Sequence, residues 1–257
     1  MRRLTFVIAY CVMLGCLPAA QPALAQAAIP PGATPPAASC PGCSLAEADY
    51  KRRDLTGADF SKANLKDGVF HRAVLLHANF AGANLNGANL NLTKSAQADF
   101  AGADMTNGLL YEADASHADF SGTVLNGAKM QESRMLGARF DGAKMDYSFL
   151  NDARFDNASL KKASLQHANL SDAVFTRADL EGANLSDSGL LSAKFRGANL
   201  RGANLAGADL YRADLTDADL TGANLTGARL SLTRTEGAKL DNVKLKGALM
   251  PDGSIHP

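Results

Sequence analysis

Tryptophan is absent from the chain, and aromatic residues make up only 6% of it. Any core must therefore rest mainly on Ala and Leu, which dominate the 46% hydrophobic content beside 23 Gly. Net charge is absent as well: 26 basic and 26 acidic residues balance, so the overall composition calls for neither nucleic acid nor an anionic membrane. Long apolar runs are missing beyond Leu4 to Leu17, which is too short for an ordinary membrane span. Catalytic equipment is missing too. There is no Gly-rich phosphate loop, no nucleophile elbow and no paired buried carboxylates. His71, His167 and His256 have no Cys or carboxylate cluster at ligand spacing, so no catalytic, cofactor or metal residue is assigned.

What is present begins with an address. Arg2 and Arg3, the apolar run and the stretch ending Ala23-Leu24-Ala25 have the three parts of a secretory signal over residues 1–25, with cleavage expected after Ala25. The rival is Met13-Leu14-Gly15-Cys16, which resembles a lipoprotein processing box with an imperfect first position. It would lipidate Cys16 and tether the protein to a membrane. Removing residues 1–25 takes away two Arg and no acid, leaving 24 basic against 26 acidic residues, a net of about −2. The expected location is periplasmic or secreted, with a lipid-anchored form as the alternative. Residues 26–39, QAAIPPGATPPAAS, read as an extended Pro/Ala-rich linker.

From Tyr50 a five-residue frame runs without a slip. Every residue whose number divides by five, up to Met250, is large and apolar except Ser95, Ala115 and Thr235, which is 38 of 41 sites. Two places earlier every residue is Ala, Gly, Ser or Thr except Arg53 and Val243. A period of five suits neither helix nor flat strand: it scatters apolar residues around a helix and alternates the faces of a strand. It suits short extended pieces joined by corners, with the centre and the small residue both pointing inward. Two places after the centre, 16 of 41 sites are Gly, which accepts the positive φ that many turns need. Phe60, Phe80, Phe100, Phe120 and Phe140, then Phe155, Phe175 and Phe195, recur at twenty residues, which predicts four phrases per coil. Coils stacked at about 4.8 Å would form a rod of about ten coils, on the order of 50 Å long, with Phe over Phe.

The run Ala198-Asn199-Leu200-Arg201-Gly202-Ala203-Asn204-Leu205 resembles the pentapeptide repeat family, A-(D/N)-L-x-x. The resemblance covers roughly residues 45–250 and implies an all-β fold, a right-handed quadrilateral parallel β-helix. The frame itself divides the chain into an irregular capping coil at 40–54, a repeat domain at 55–250 and a tail at 251–257. The family's best-known members resemble a DNA duplex in outline and charge and bind DNA gyrase, which makes a gyrase-binding duplex mimic one functional reading.

The charge pattern argues against that reading. The site before each centre is Asp or Asn in 20 of 41 copies and basic in 11, and the basic ones are grouped. Lys129, Arg134, Arg139, Lys144 and Arg154 form one belt, and Arg229, Arg234, Lys239 and Lys244 a second, either of which could bind an acidic partner. Twenty residues before Arg134, Arg139, Arg229, Arg234 and Lys239 stand Asp114, Asp119, Asp209, Asp214 and Asp219, so pairing between adjacent coils is the simpler account. Asn184, Asn204 and Asn224 predict an amide ladder in the same way.

Two features remain. The side centred on Leu110 carries Val69, Leu109, Tyr111, Phe149, Leu191, Tyr211 and Leu249 at outward sites, whereas the side centred on Phe60 carries no large apolar residue there. Apolar groups gathered on one flat face suit a protein or envelope partner, or they pack locally. Cys40-Pro41-Gly42-Cys43 is a CxxC without a thioredoxin-like setting, so a thiol redox enzyme is a third reading behind a disulfide that closes the first coil. Exposed strand edges at the rod's ends also allow a homodimer through the C-terminal coil. The sequence thus points to an exported, non-enzymatic scaffold.

Overall fold

The computed structural model describes residues 39–257. The expected signal peptide with its Ala25 cleavage site, Cys16 and nearly all of the linker lie outside the described residues. From Cys40 to Met250 the chain winds as a right-handed, four-sided parallel β-helix of about ten coils. Each side contributes one β-bridge per coil between residues twenty apart, as in Asn184 with Asn204 and Asp209 with Arg229.

The local cause is a repeated turn. The residue two after each centre has positive φ at every phrase from Gly42 to Gly247, including 25 non-Gly residues such as Leu92 (+60°), Tyr147 (+59°) and Leu232 (+58°). A left-handed conformation costs a non-Gly residue roughly 1–2 kcal/mol, and the hydrogen bonds offset it. The centre's N–H and the N–H two residues later both donate to carbonyls of the next coil, as Phe60 does to Asn79 (2.7 Å) and Lys62 to Ala81 (2.9 Å).

The Asp or Asn before each centre is part of this turn. At all 20 such sites the side-chain oxygen accepts the N–H two residues on. These carboxylates and amides are therefore turn caps as well as solvated groups. Where the local cap is lacking, the coil below can supply one. Tyr111, Asp146, Lys161 and Gln166, whose own phrases offer Leu109, Lys144, Ser159 and Ser164, donate their N–H to Asn91, Asn126, Asp141 and Asp146 at 2.8 to 3.0 Å.

The interior is one column of centres and Ala. Phe80, Phe100, Phe120 and Phe140 stack with centroids 5.1, 4.9 and 4.6 Å apart, and Phe155, Phe175 and Phe195 continue at 5.0 Å on the adjacent side. The column changes sides at Phe140, which meets Phe155 edge-on at 5.5 Å. The neighbouring side holds Leu55 and Leu75 beside Phe60 and Phe80, then Ser95, Ala115 and Met135 beside Phe100, Phe120 and Phe140; once Phe moves there, the Phe60 side holds Leu160, Leu180 and Leu200. Buried inward hydroxyls other than that of Ser133 are satisfied by backbone carbonyls, as in Thr123 to Phe100 (2.7 Å) and Ser188 to Leu185 (2.7 Å), whereas the buried Ser133 Oγ has no partner among the described residues.

Both ends differ from expectation. The first coil is regular, with φ of +68°, +60° and +57° at Gly42, Glu47 and Arg52, because Gly42 simply takes the usual positive-φ site within Cys-Pro-Gly-Cys. That turn holds the Cα atoms of Cys40 and Cys43 5.5 Å apart. At the other end the tail doubles back: Leu249 pairs with Ile255 in antiparallel fashion, and His256 donates to Ala248 (2.9 Å). It covers the last coil on the Leu110 side, and Leu240 remains 47% exposed.

Candidate interaction face

Successive phrases turn one corner each, so residues twenty apart share a side and residues ten apart lie on opposite sides. The Phe60 side is polar and internally paired. Asn199 donates to Asp179 (2.9 Å), Lys161 reaches Asp179 at 3.0 Å, and Arg201 and Lys239 both contact Asp219 at 3.5 and 3.4 Å. The Leu65 side carries amide ladders, Asn84 to Asn64 and then Asn224 to Asn204 to Asn184, at 3.0 to 3.1 Å. Four of the five predicted acid–base pairs form: Asp119 with Arg139, Asp209 with Arg229, Asp214 with Arg234 and Asp219 with Lys239, at 3.4 to 3.5 Å. Asp114 instead binds the Ser116 hydroxyl at 2.7 Å, and its predicted partner Arg134 is in none of the ion pairs among the described residues. In each of these pairs the basic side chain is about half exposed or more, so each contributes about 0–1 kcal/mol.

The two belts are not patches. Lys129, Arg134, Arg139 and Lys144 fall on four different sides, with Arg154 one coil above Arg134, and Arg229, Arg234, Lys239 and Lys244 again take one side each. A flat partner meets only one or two charges of either ring. A group in sequence is a ring in space, so an acidic partner of either belt would have to reach around more than one side.

The Leu110 side is different. Phe149, Leu191 and Tyr111 are 43%, 40% and 38% exposed, whereas Val69, Leu109, Tyr211 and Leu249 are half-buried. Tyr111 donates its hydroxyl to Glu132 (3.1 Å), and hydrogen bonds to Glu112 and Glu132 push that phenol up to about 12. Tyr211 has Arg229 over its ring at 4.4 Å and Arg212 at 5.1 Å, while Asp209 engages Arg229. Sequence reasoning missed two members. Tyr147, 63% exposed, stacks on His167 at 4.9 Å beside Phe149, and Leu232 is 55% exposed next to the Tyr211 group. Both occupy the corner site that reads as turn chemistry, so only their size in a place favouring Gly or Asn marked them. The face therefore comprises a central Tyr147–Phe149–His167 platform and an upper Leu191–Tyr211–Leu232 group.

Among the described residues, no group of three or more His, Cys, Asp or Glu is placed to hold a metal ion. No helix there is long and apolar enough to cross a membrane.

Coil period, turn caps and a column of stacked centres together define a β-helical scaffold of five-residue repeats. Pentapeptide repeats are matched in eight copies at residues 54–91, 109–146, 153–188 and 193–231, and the chain belongs to the pentapeptide repeat family. Among solved structures it is similar to HetL, a pentapeptide repeat protein involved in heterocyst differentiation regulation from the cyanobacterium Nostoc sp. strain PCC 7120. Identity is 32% over 85% of this chain and 94% of that one, with a TM-score of 0.36. It is also similar to QnrB1, a plasmid-mediated fluoroquinolone resistance protein, at 22% identity over 74% and 88% of the two chains and a TM-score of 0.32. A pentapeptide repeat protein of the Arabidopsis thaliana thylakoid lumen shares 29% identity over 40% and 65%, with a TM-score of 0.29. No curated protein sequence matches the chain significantly.

Proposed function

We propose that the protein is an exported, non-enzymatic scaffold that binds a protein or envelope component through the Leu110 side of the rod. The observation that carries this reading is the contrast between opposite sides. The Phe60 side spends its polar groups on one another, whereas the Leu110 side leaves Tyr147, Phe149, Leu191 and Leu232 in water. Exposed aromatic and aliphatic groups on a rigid face are the usual anchors of protein interfaces. Export rests on the charged, apolar and small-residue parts of residues 1–25, and the Cys40–Cys43 turn, oxidised outside the cytoplasm, would staple the first coil. The duplex-mimic reading is weaker, because Asp columns are answered by Arg and Lys on the next coil and the rod carries no continuous acidic side.

The test is capture from the envelope fraction with wild-type protein and with the triple variant Tyr111→Ser, Phe149→Ser and Tyr211→Ser. Partner recovery should fall at least tenfold while the melting temperature changes by no more than a few degrees. Unchanged recovery would exclude this face.

A further inference from the structure

At the N-terminal end of the rod, where the Leu110 side turns into the side of Leu55 and Leu75, two stacked coils place Lys51, Arg52, His71 and Arg72 together. Lys51, Arg52 and Arg72 are exposed, and Arg52 and Arg72 occupy the same corner site one coil apart, at φ of +57° and +59°. Stacked coils put these side chains about 4.8 Å apart at the backbone. Elsewhere on the rod seven Arg and Lys side chains, among them Arg139, Arg229 and Lys239, meet a carboxylate, while others such as Lys129 stand singly on their sides. Here none of the three appears in an ion pair among the described residues.

The carboxylates nearest in sequence, Asp49 and Asp54, cap their own turns and form no ion pair with the three cations. Asp49 accepts the Lys51 N–H at 2.9 Å, and Asp54 takes both the N–H and the hydroxyl of Thr56 at 3.0 and 2.7 Å. Asp67 lies at the opposite corner of the same side, with its carboxylate against Gly87. The 46 residues before Glu47 contain no Asp or Glu, so that stretch has no acid to offer. The positive field is felt locally. Burial first, then the charges of Arg72, Lys51 and Arg52, hold the His71 imidazole below its ordinary range.

We infer that this corner is a docking site for the phosphate groups of an anionic lipid surface, seating the N-terminal end of the rod against a membrane. A terminal corner suits a flat surface in a way that the charge rings do not, since all of its cations project from one edge. Its biological use rests on the exported reading. The binding itself does not, so the two can fail separately. Each Lys or Arg near an anionic bilayer is worth about a fivefold change in partitioning, so three together give on the order of 100-fold.

The test is sedimentation of the processed protein, purified from its source cells, with vesicles of phosphatidylglycerol and phosphatidylcholine and with phosphatidylcholine alone. The variant is Lys51→Gln, Arg52→Asn and Arg72→Asn, with Asn chosen because it tolerates positive φ. A charge-matched control replaces Lys129, Arg134 and Lys144 with Gln. The corner variant should lose about 100-fold in partitioning onto phosphatidylglycerol vesicles, and the control should stay within about threefold of wild type. Equal losses in the two variants, or equal binding to neutral vesicles, would overturn the proposal. So would a shift of the His71 ring resonances with inorganic phosphate but no vesicle partitioning, which would leave only a site for a free anion.

Discussion

Phe120 offers the most quantitative check on the packing. Its ring is 0% exposed and lies between Phe100 at 4.9 Å and Phe140 at 4.6 Å, with interplanar angles of 9° and 4°. Phe120→Ala removes a fully buried ring and leaves a cavity, which costs about 3–5 kcal/mol. It also breaks two stacked pairs, each worth about 0.5–1.5 kcal/mol beyond area burial, so the loss should fall near the top of that range. In a solenoid each coil is held only by its neighbours, so the damage should be local. Guanidinium unfolding followed by circular dichroism gives the total, and amide exchange gives its position. Protection should fall most in the coils holding Phe100, Phe120 and Phe140 and least near Phe195. A loss below about 1.5 kcal/mol, or one spread evenly along the rod, would refute a continuous ring column.

Two further predictions test the corners and the caps. A side chain at Gly207, where φ is +68°, would run into the Asp187 carboxylate one coil below, so Gly207→Ala should cost about 1–3 kcal/mol. Adding Asp187→Gly should recover part of that in a thermal melt, and no recovery would mean that the corner side chains do not lean onto the next coil. The Thr221 hydroxyl and N–H, followed by Lys239, hold Asp219 at about 2 against an ordinary 3.8. A depressed carboxylate stabilises fully above its unfolded value, and that contribution is lost as pH falls through about 2. Stability should therefore fall between pH 4 and pH 2, and Asp219→Asn should fall less steeply over that window. Parallel profiles for the two proteins would contradict the assignment.

The coil was legible because four sides multiply a five-residue phrase into a period of twenty, and Phe is rare enough here for its spacing to stand out. The role of Asp and Asn was only half legible. Sites such as Asp99 and Asn204 look outward, and their hydrogen bond to the N–H two residues on follows from turn geometry that sequence spacing does not display. Charge position was misleading for a related reason. Lys129 and Arg134 are neighbours along the frame, yet every step of five turns a corner and faces them in different directions. Tyr147 and Leu232 were hidden because a regular repeat makes each corner look like a turn and nothing more. The folded tail was hidden too, since the pairing of Leu249 with Ile255 follows no repeat.

Site-specific photo-crosslinking in living cells bears most directly on the claim that one side of an exported rod meets a partner. A photoreactive residue in place of Phe149 or Leu191 on the Leu110 side is compared with one in place of Ser159 or Asn199 on the opposite side. The account predicts a discrete crosslinked product from Phe149 and Leu191, on protein that begins at Gln26 or carries lipid on Cys16, and none from Ser159 and Asn199. The same product from both sides, or one found only on unprocessed cytoplasmic chain, would contradict it.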